Sequence, residues 1–187
     1  MTKPKVGILM GSDSDLEIML EAAKILEQCQ IPYQISVLST HRAPEETAKY
    51  AKSAKARGLK VLIAGAGGAA ALPGSLAALT TLPVIGIPIK SKSLEGLDSL
   101  LSIAQMPPGV PVATVGIDGA KNAGLLAAEI LAISDSKIAE KVSDYKEKLK
   151  KEVLTKNARL TKIGWEKYLK EKQMDINCYL VFLRLFF

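Results

Sequence analysis

The sequence predicts a doubly wound α/β domain: a central parallel sheet of about five strands, covered by helices on both faces. Three observations predict it. Short, continuously apolar runs rich in Val and Ile alternate with segments of helical periodicity over the first 133 residues. Gly and Pro punctuate the junctions. The polar residues suited to chemistry fall just past the first three apolar runs, where an open parallel sheet presents the carboxyl ends of its strands.

The elements follow in order. "KVGILM" (5–10) reads as a buried strand, and "DLEIMLEAAKILEQC" (15–29) as an amphipathic helix. "PYQISVL" (32–38) is a second strand, and "PEETAKYAKSAKARG" (44–58) is a polar-faced helix closed by Gly58. "LKVLIAG" (59–65) is a third strand, and "LPGSLAALT" (72–80) a short helix entered through Pro73. "LPVIGIPI" (82–89) and "VPVATVGI" (110–117) supply strands four and five, and "NAGLLAAEILAI" (122–133) is a helix of small residues that can pack tightly. Five such units give a flavodoxin-like αβα sandwich.

Beyond residue 134 the pattern changes. Ile138, Val142, Tyr145, Leu149 and Val153 recur every three or four residues, which describes one long amphipathic helix. The organisation expected is therefore an α/β catalytic domain over 1–134, a helical extension over 135–172 and an atypical apolar tail over 173–187. The extension has to dock on the core or on a neighbouring subunit to cover its stripe. The tail segment "INCYLVFLRLFF" (176–187) is too short to span a bilayer.

A length of 187 residues with 48% apolar content suits a globular domain with a real core. No spanning run and no export signal opens the chain, so the expected setting is cytoplasmic, with no membrane partner. Cys29 and Cys178 form no CxxC pair and the chain has one histidine, so no metal site is expected. The net charge is +6. Residues 137–172 hold eleven Lys and one Arg against six acids, which accounts for the whole excess. No aromatic stacking platform accompanies them, so they read as a solvated helix face and no nucleic-acid partner is expected.

Three turns at strand ends carry the candidate chemistry. In "MGSDSDLE", Gly11 permits a sharp turn, and the hydroxyls of Ser12 and Ser14 with nearby backbone N–H groups can hold a phosphate or ribose at a helix start. The same stretch reads equally as a capping box between Ser14 and Glu17, which leaves Ser12 and Asp15 free. Neither a GxGxxG fingerprint nor a P-loop is present, so dinucleotides and ATP are disfavoured. In "STHRAPEE", Ser39 precedes the only imidazole, His41, and the guanidinium of Arg42. Arginine grips phosphate or carboxylate bidentately, and histidine is the side-chain type that exchanges protons near neutral pH. A solvent-exposed loop histidine before a helix starting at Pro44 is the competing reading. "AGAGGAAALPG" (64–74) is nearly free of side chains, so its backbone can approach a small planar group closely and offer N–H donors. Its alternative is tight packing at a strand-to-helix turn.

Together with "LPVIGIPI", "GLDSLLSIAQMPPGVPVATV" and "NAGLLAAEIL", these blocks resemble the N5-carboxyaminoimidazole ribonucleotide mutase family in order and spacing, over residues 5–170. The resemblance implies an isomerase of purine (IMP) biosynthesis that uses no metal or organic cofactor. It implies a homo-octamer with active sites near subunit interfaces. Ser12 and Asp15, with Ser14 close by, would bind the ribonucleotide; Arg42 would hold its phosphate and His41 would be the acid/base. Ser39 and the 67–72 turn, with Gly67, Gly68, Ala69, Ala71 and Leu72, would line the substrate site, and Gln105–Gly109 resembles the family's mobile loop. One departure stands out: Ala71 occupies the place where the family pattern A-G-G-A-A-H-L-P-G has a histidine. The alternatives are a carboxylase acting on aminoimidazole ribonucleotide with CO2, and a catalytically impaired nucleotide-binding variant.

Overall fold

Residues 3–173 are described by the computed structural model. Its sheet is built from the apolar runs. Strand β1 (Val6–Met10) is buried at every position, as is β4 (Val84–Ile89), and β3 (Val61–Gly67) is buried until its last residue. Strand β2 (Tyr33–Val37) is only half-buried because it lies at the sheet's edge. With β5 (Ala113–Thr114) at the other edge, the order is β2-β1-β3-β4-β5, and every pairing is parallel. The expected flavodoxin-like sandwich is therefore the fold observed.

Helices α1 (Leu16–Gln28), α2 (Pro44–Ala54), α3 (Leu72–Leu79), α4 (Leu97–Ala104) and α5 (Ala120–Ala132) join the strands. Ile8, Leu9, Leu62, Ile63, Ile85 and Ile87 are wholly buried in the core. Close approach of helix and sheet is explicit at Gly65, where a Cβ would lie 2.3 Å from Met19 Sδ of α1. Helix α1 in turn lies against α5: a Cβ on Gly124 would meet the Ala22 carbonyl oxygen at 2.7 Å. Among the described residues, no buried side-chain N or O lacks a hydrogen-bond partner.

Register positions the site. Met10 pairs with Val37 on one side and with Gly65 on the other, so three neighbouring strands end at one level. The turns that follow them face the same space. The chain runs to one side of β1 and then crosses to the other, which makes this the switch point of the sheet, where ligands bind in doubly wound folds.

Several expectations are corrected. The strand expected over 110–117 pairs only at Ala113 and Thr114; Pro111 brings no N–H to a ladder, and neither does Pro88 on β4. Helix α4 occupies a stretch to which the sequence pattern assigns no element. The capping box at Ser14 and Glu17 does not form. A 3-10 turn at Asp13–Asp15 precedes α1, so Ser12 becomes the cap, its Oγ accepting from the Ser14 N–H at 3.4 Å. The long helix α6 (Ser136–Ile163) stops before Gly164 (φ +77°), and helical conformation resumes over 165–173. A residue in the left-handed region cannot continue a right-handed helix.

The chain forms two compact units that meet between Val142 and Ser143. The first holds the sheet and buries Ile138 and Val142 at the start of α6. In the second, Leu149 and Val153 of the same apolar stripe are exposed, and the Arg159 guanidinium pairs with Glu171 at 2.8 Å. The tail expected over 176–187 lies outside the described residues.

Candidate active site

A cleft of about 410 Å³ opens at the switch point, lined by Gly11, Ser12, Asp15, Ser39, Thr40, His41, Arg42, Ala66, Gly67, Ala70, Ala71 and Leu72. Three turns supply all of it, from the ends of β1, β2 and β3.

The turn after β2 is held by its own backbone. The Ala43 N–H donates to the Ser39 carbonyl at 2.8 Å, and the Arg42 N–H donates to Ser39 Oγ at 3.3 Å. This closed turn presents Thr40, His41 and Arg42 in succession. Pro44 then starts α2 with a fixed φ and without a wasted donor. Arg42 Nη2 donates to the carbonyl of Gly11, which ties the second turn to the first. His41 and Arg42 are exposed, whereas Ser12, Asp15, Ser39 and Thr40 are half-buried.

The turn after β1 is internally bonded as well. Ser12 Oγ donates to Asp13 Oδ1 at 3.3 Å, and Ser14 Oγ donates to Asp15 Oδ1 at 3.0 Å. Partial burial pushes the Asp15 carboxyl above the usual carboxylate range. The Ser14 hydrogen bond opposes that rise, and the negative charges of Asp118 and Asp13 add to it. The turn after β3 forms the opposite wall. Ala66, Ala70 and Leu72 are buried, Gly67 is exposed, and Ala71 is half-buried at the start of α3. No side chain on this wall can donate a hydrogen bond.

Most of the sequence-derived candidates thus meet in one cleft: Ser12, Asp15, Ser39, His41, Arg42, Gly67, Ala71 and Leu72. Ser14, Gly68 and Ala69 lie in the same turns but outside the lining. Ser14 spends its hydroxyl on Asp15, Gly68 takes φ +61° to make the bend, and Ala69 is exposed beyond it. Gln105–Gly109 does not line the cleft; Met106 packs instead near Gly74 of α3. Four lining residues were not among the candidates: Gly11, Thr40, Ala66 and Ala70. Their signal was positional, since each sits inside or beside a turn already selected by its strand end.

Among the described residues, no group of three or more His, Cys, Asp or Glu could hold a metal ion, and no helix is long and apolar enough to cross a membrane.

Comparison with known proteins adds to this geometry. The family model described as AIR carboxylase matches residues 5–152. The chain is 63% identical over 166 residues to N5-carboxyaminoimidazole ribonucleotide mutase of Pyrococcus abyssi, covering 89% of this chain and 95% of that protein. It is 59% identical over 170 residues to the Thermotoga maritima protein of the same name, covering 91% and 99%. Phosphoribosylaminoimidazole carboxylase of Candida glabrata is 53% identical over 170 residues, which make up 91% of this chain and 30% of that longer one. Among solved structures, Treponema denticola PurE superimposes with a TM-score of 0.77 at 33% identity, covering 84% of this chain and 98% of that one.

Proposed function

The chain belongs to the AIR carboxylase family, and from that premise we propose that it is an isomerase of purine (IMP) biosynthesis. It converts N5-carboxyaminoimidazole ribonucleotide to 4-carboxyaminoimidazole ribonucleotide. The observation that carries the reading is one cleft holding an imidazole, a guanidinium and a half-buried carboxyl opposite a wall of small apolar residues. Relatives that match it over nearly their whole length are named as mutases.

The chemistry assigns a task to each wall. Protonation of the carbamate nitrogen releases CO2 and leaves an electron-rich aminoimidazole. The adjacent ring carbon attacks the trapped CO2, and loss of that carbon's proton restores aromaticity. The net change exchanges N–CO2⁻ and C–H for N–H and C–CO2⁻, so nothing is oxidised or consumed. His41 gives the first proton and takes the second, ending as it began, a general acid–base role worth about 10²–10⁴-fold. Arg42 grips the phosphate, and Ser12 and Asp15 hold the ribose end, so that remote binding energy positions the ring. The small residues of 66–72 keep CO2 close to the ring carbon.

The same reading makes the protein a cytoplasmic homo-octamer working without metal or organic cofactor and without nucleic-acid partners. Leu94, Leu97 and Leu101 are exposed on the first unit, in keeping with contacts between subunits. His41 is exposed in the single chain, and a site near a subunit boundary gains the cover that excludes water during proton transfer.

Two further readings have a specific observation behind them. The Candida glabrata relative is a carboxylase, and Ala71 leaves His41 as the only imidazole available. One assay separates all three. Purified protein is given the carboxyamino substrate without bicarbonate, and aminoimidazole ribonucleotide with bicarbonate. Rapid turnover of the first supports the mutase. Turnover of the second alone makes it a carboxylase, and binding without turnover makes it an impaired variant.

A further inference from the structure

Three residues carry hydroxyls into the lining of the cleft, and they are not equivalent. Ser12 Oγ accepts from the Ser14 N–H and donates to Asp13, and Ser39 Oγ accepts from the Arg42 N–H. Thr40, half-buried between Ser39 and His41, makes no side-chain hydrogen bond to any described residue. Its hydroxyl is therefore available to a ligand without breaking a bond inside the protein.

We propose that Thr40 is a further substrate-contacting residue, its hydroxyl donating a hydrogen bond to the migrating carboxylate. The proposal rests on the mutase reading above. That carboxylate is a full negative charge which has to sit within reach of His41. The facing wall, Ala66, Gly67, Ala70, Ala71 and Leu72, has no side-chain donor to offer it. Arg42 Nη2 is engaged by the Gly11 carbonyl and Ser39 Oγ is held by the Arg42 N–H, so Thr40, next to His41, carries the lining hydroxyl with no protein partner among the described residues. A hydroxyl rotor can follow the group as it passes from nitrogen to carbon, because its proton is not fixed in direction.

The test compares Thr40→Val, which keeps the shape and removes the hydroxyl, with Thr40→Ser, which keeps the hydroxyl. Calorimetry measures affinity for 4-carboxyaminoimidazole ribonucleotide and for aminoimidazole ribonucleotide, which lacks the carboxylate. Thr40→Val should weaken the carboxylated ligand by ~10–100-fold, as befits a hydrogen bond to a charged group, and leave the other ligand unchanged. Thr40→Ser should restore the preference. Equal loss for both ligands, or no loss for either, overturns the proposal. Wild-type protein that fails to turn over the carboxyamino substrate overturns the mutase reading instead, and the equilibrium preference still decides the role of Thr40.

Discussion

The two walls of the cleft are built on opposite plans. The 11–15 and 39–42 side consists of exposed and half-buried polar residues, held by short-range bonds such as Ala43 N–H to Ser39 O at 2.8 Å. The 66–72 side is continuous with the core: Ala66 is 8% exposed, Ala70 3% and Leu72 2%. The difference teaches which substitutions act on what. A polar side chain supported by its own turn can be lost with little effect on the fold. A residue of the apolar wall cannot change without disturbing the packing beneath it.

The largest effect should come from the polar wall. His41→Asn is expected to lower kcat by about 10²–10⁴-fold with the melting temperature unchanged; a coincident loss of stability would break the contrast. Leu72→Ala probes the other wall, and chemical denaturation should show a loss of about 2–5 kcal/mol before any kinetic defect is counted. Arg42→Ala should weaken ribonucleotide binding by ~10–100-fold in a calorimetric titration while circular dichroism is unaltered. The smallest effect sharpens the comparison, because Asp15 belongs to the polar wall yet is partly buried. Burial holds its carboxyl above the range of the unfolded chain. Between the unfolded and the raised folded value the folded state keeps a proton that the unfolded state has lost, so above both values the ionised form costs stability, neutral pH included. Asp15→Asn should raise the melting temperature at pH 7. That gain should shrink as the pH falls through the raised folded value and vanish below the unfolded one.

Much of this fold and site is legible in the sequence itself. Apolar runs such as "VLIAGAG" mark strands that are buried on both faces. The site is legible because parallel sheets put ligands at strand ends, so "GSDSD", "STHR" and "GAGGAA" selected themselves. What escaped has local physical causes. Helix α4 starts from Gly96 in the left-handed region (φ +93°) without a side-chain cap, so no start signal precedes it. The Ser14 capping box failed because a 3-10 turn uses the same residues one step earlier. The long apolar stripe from Ile138 concealed the break at Gly164. Thr40 gives no signal in the sequence, because a hydroxyl without a partner leaves no trace in periodicity or composition.

The close approach of Gly124 to the backbone of Ala22 bears on how the protein is made. Every residue lining the cleft has been added to the chain once position 72 is synthesised. The helix that begins just after Asp15 is braced by another some hundred residues downstream, at Ala120–Ala132. A nascent chain stalled between those points holds all the chemical groups yet lacks the strut beneath one of its turns. The packing of that first helix against its later partner therefore waits until residues 120–132 have been made.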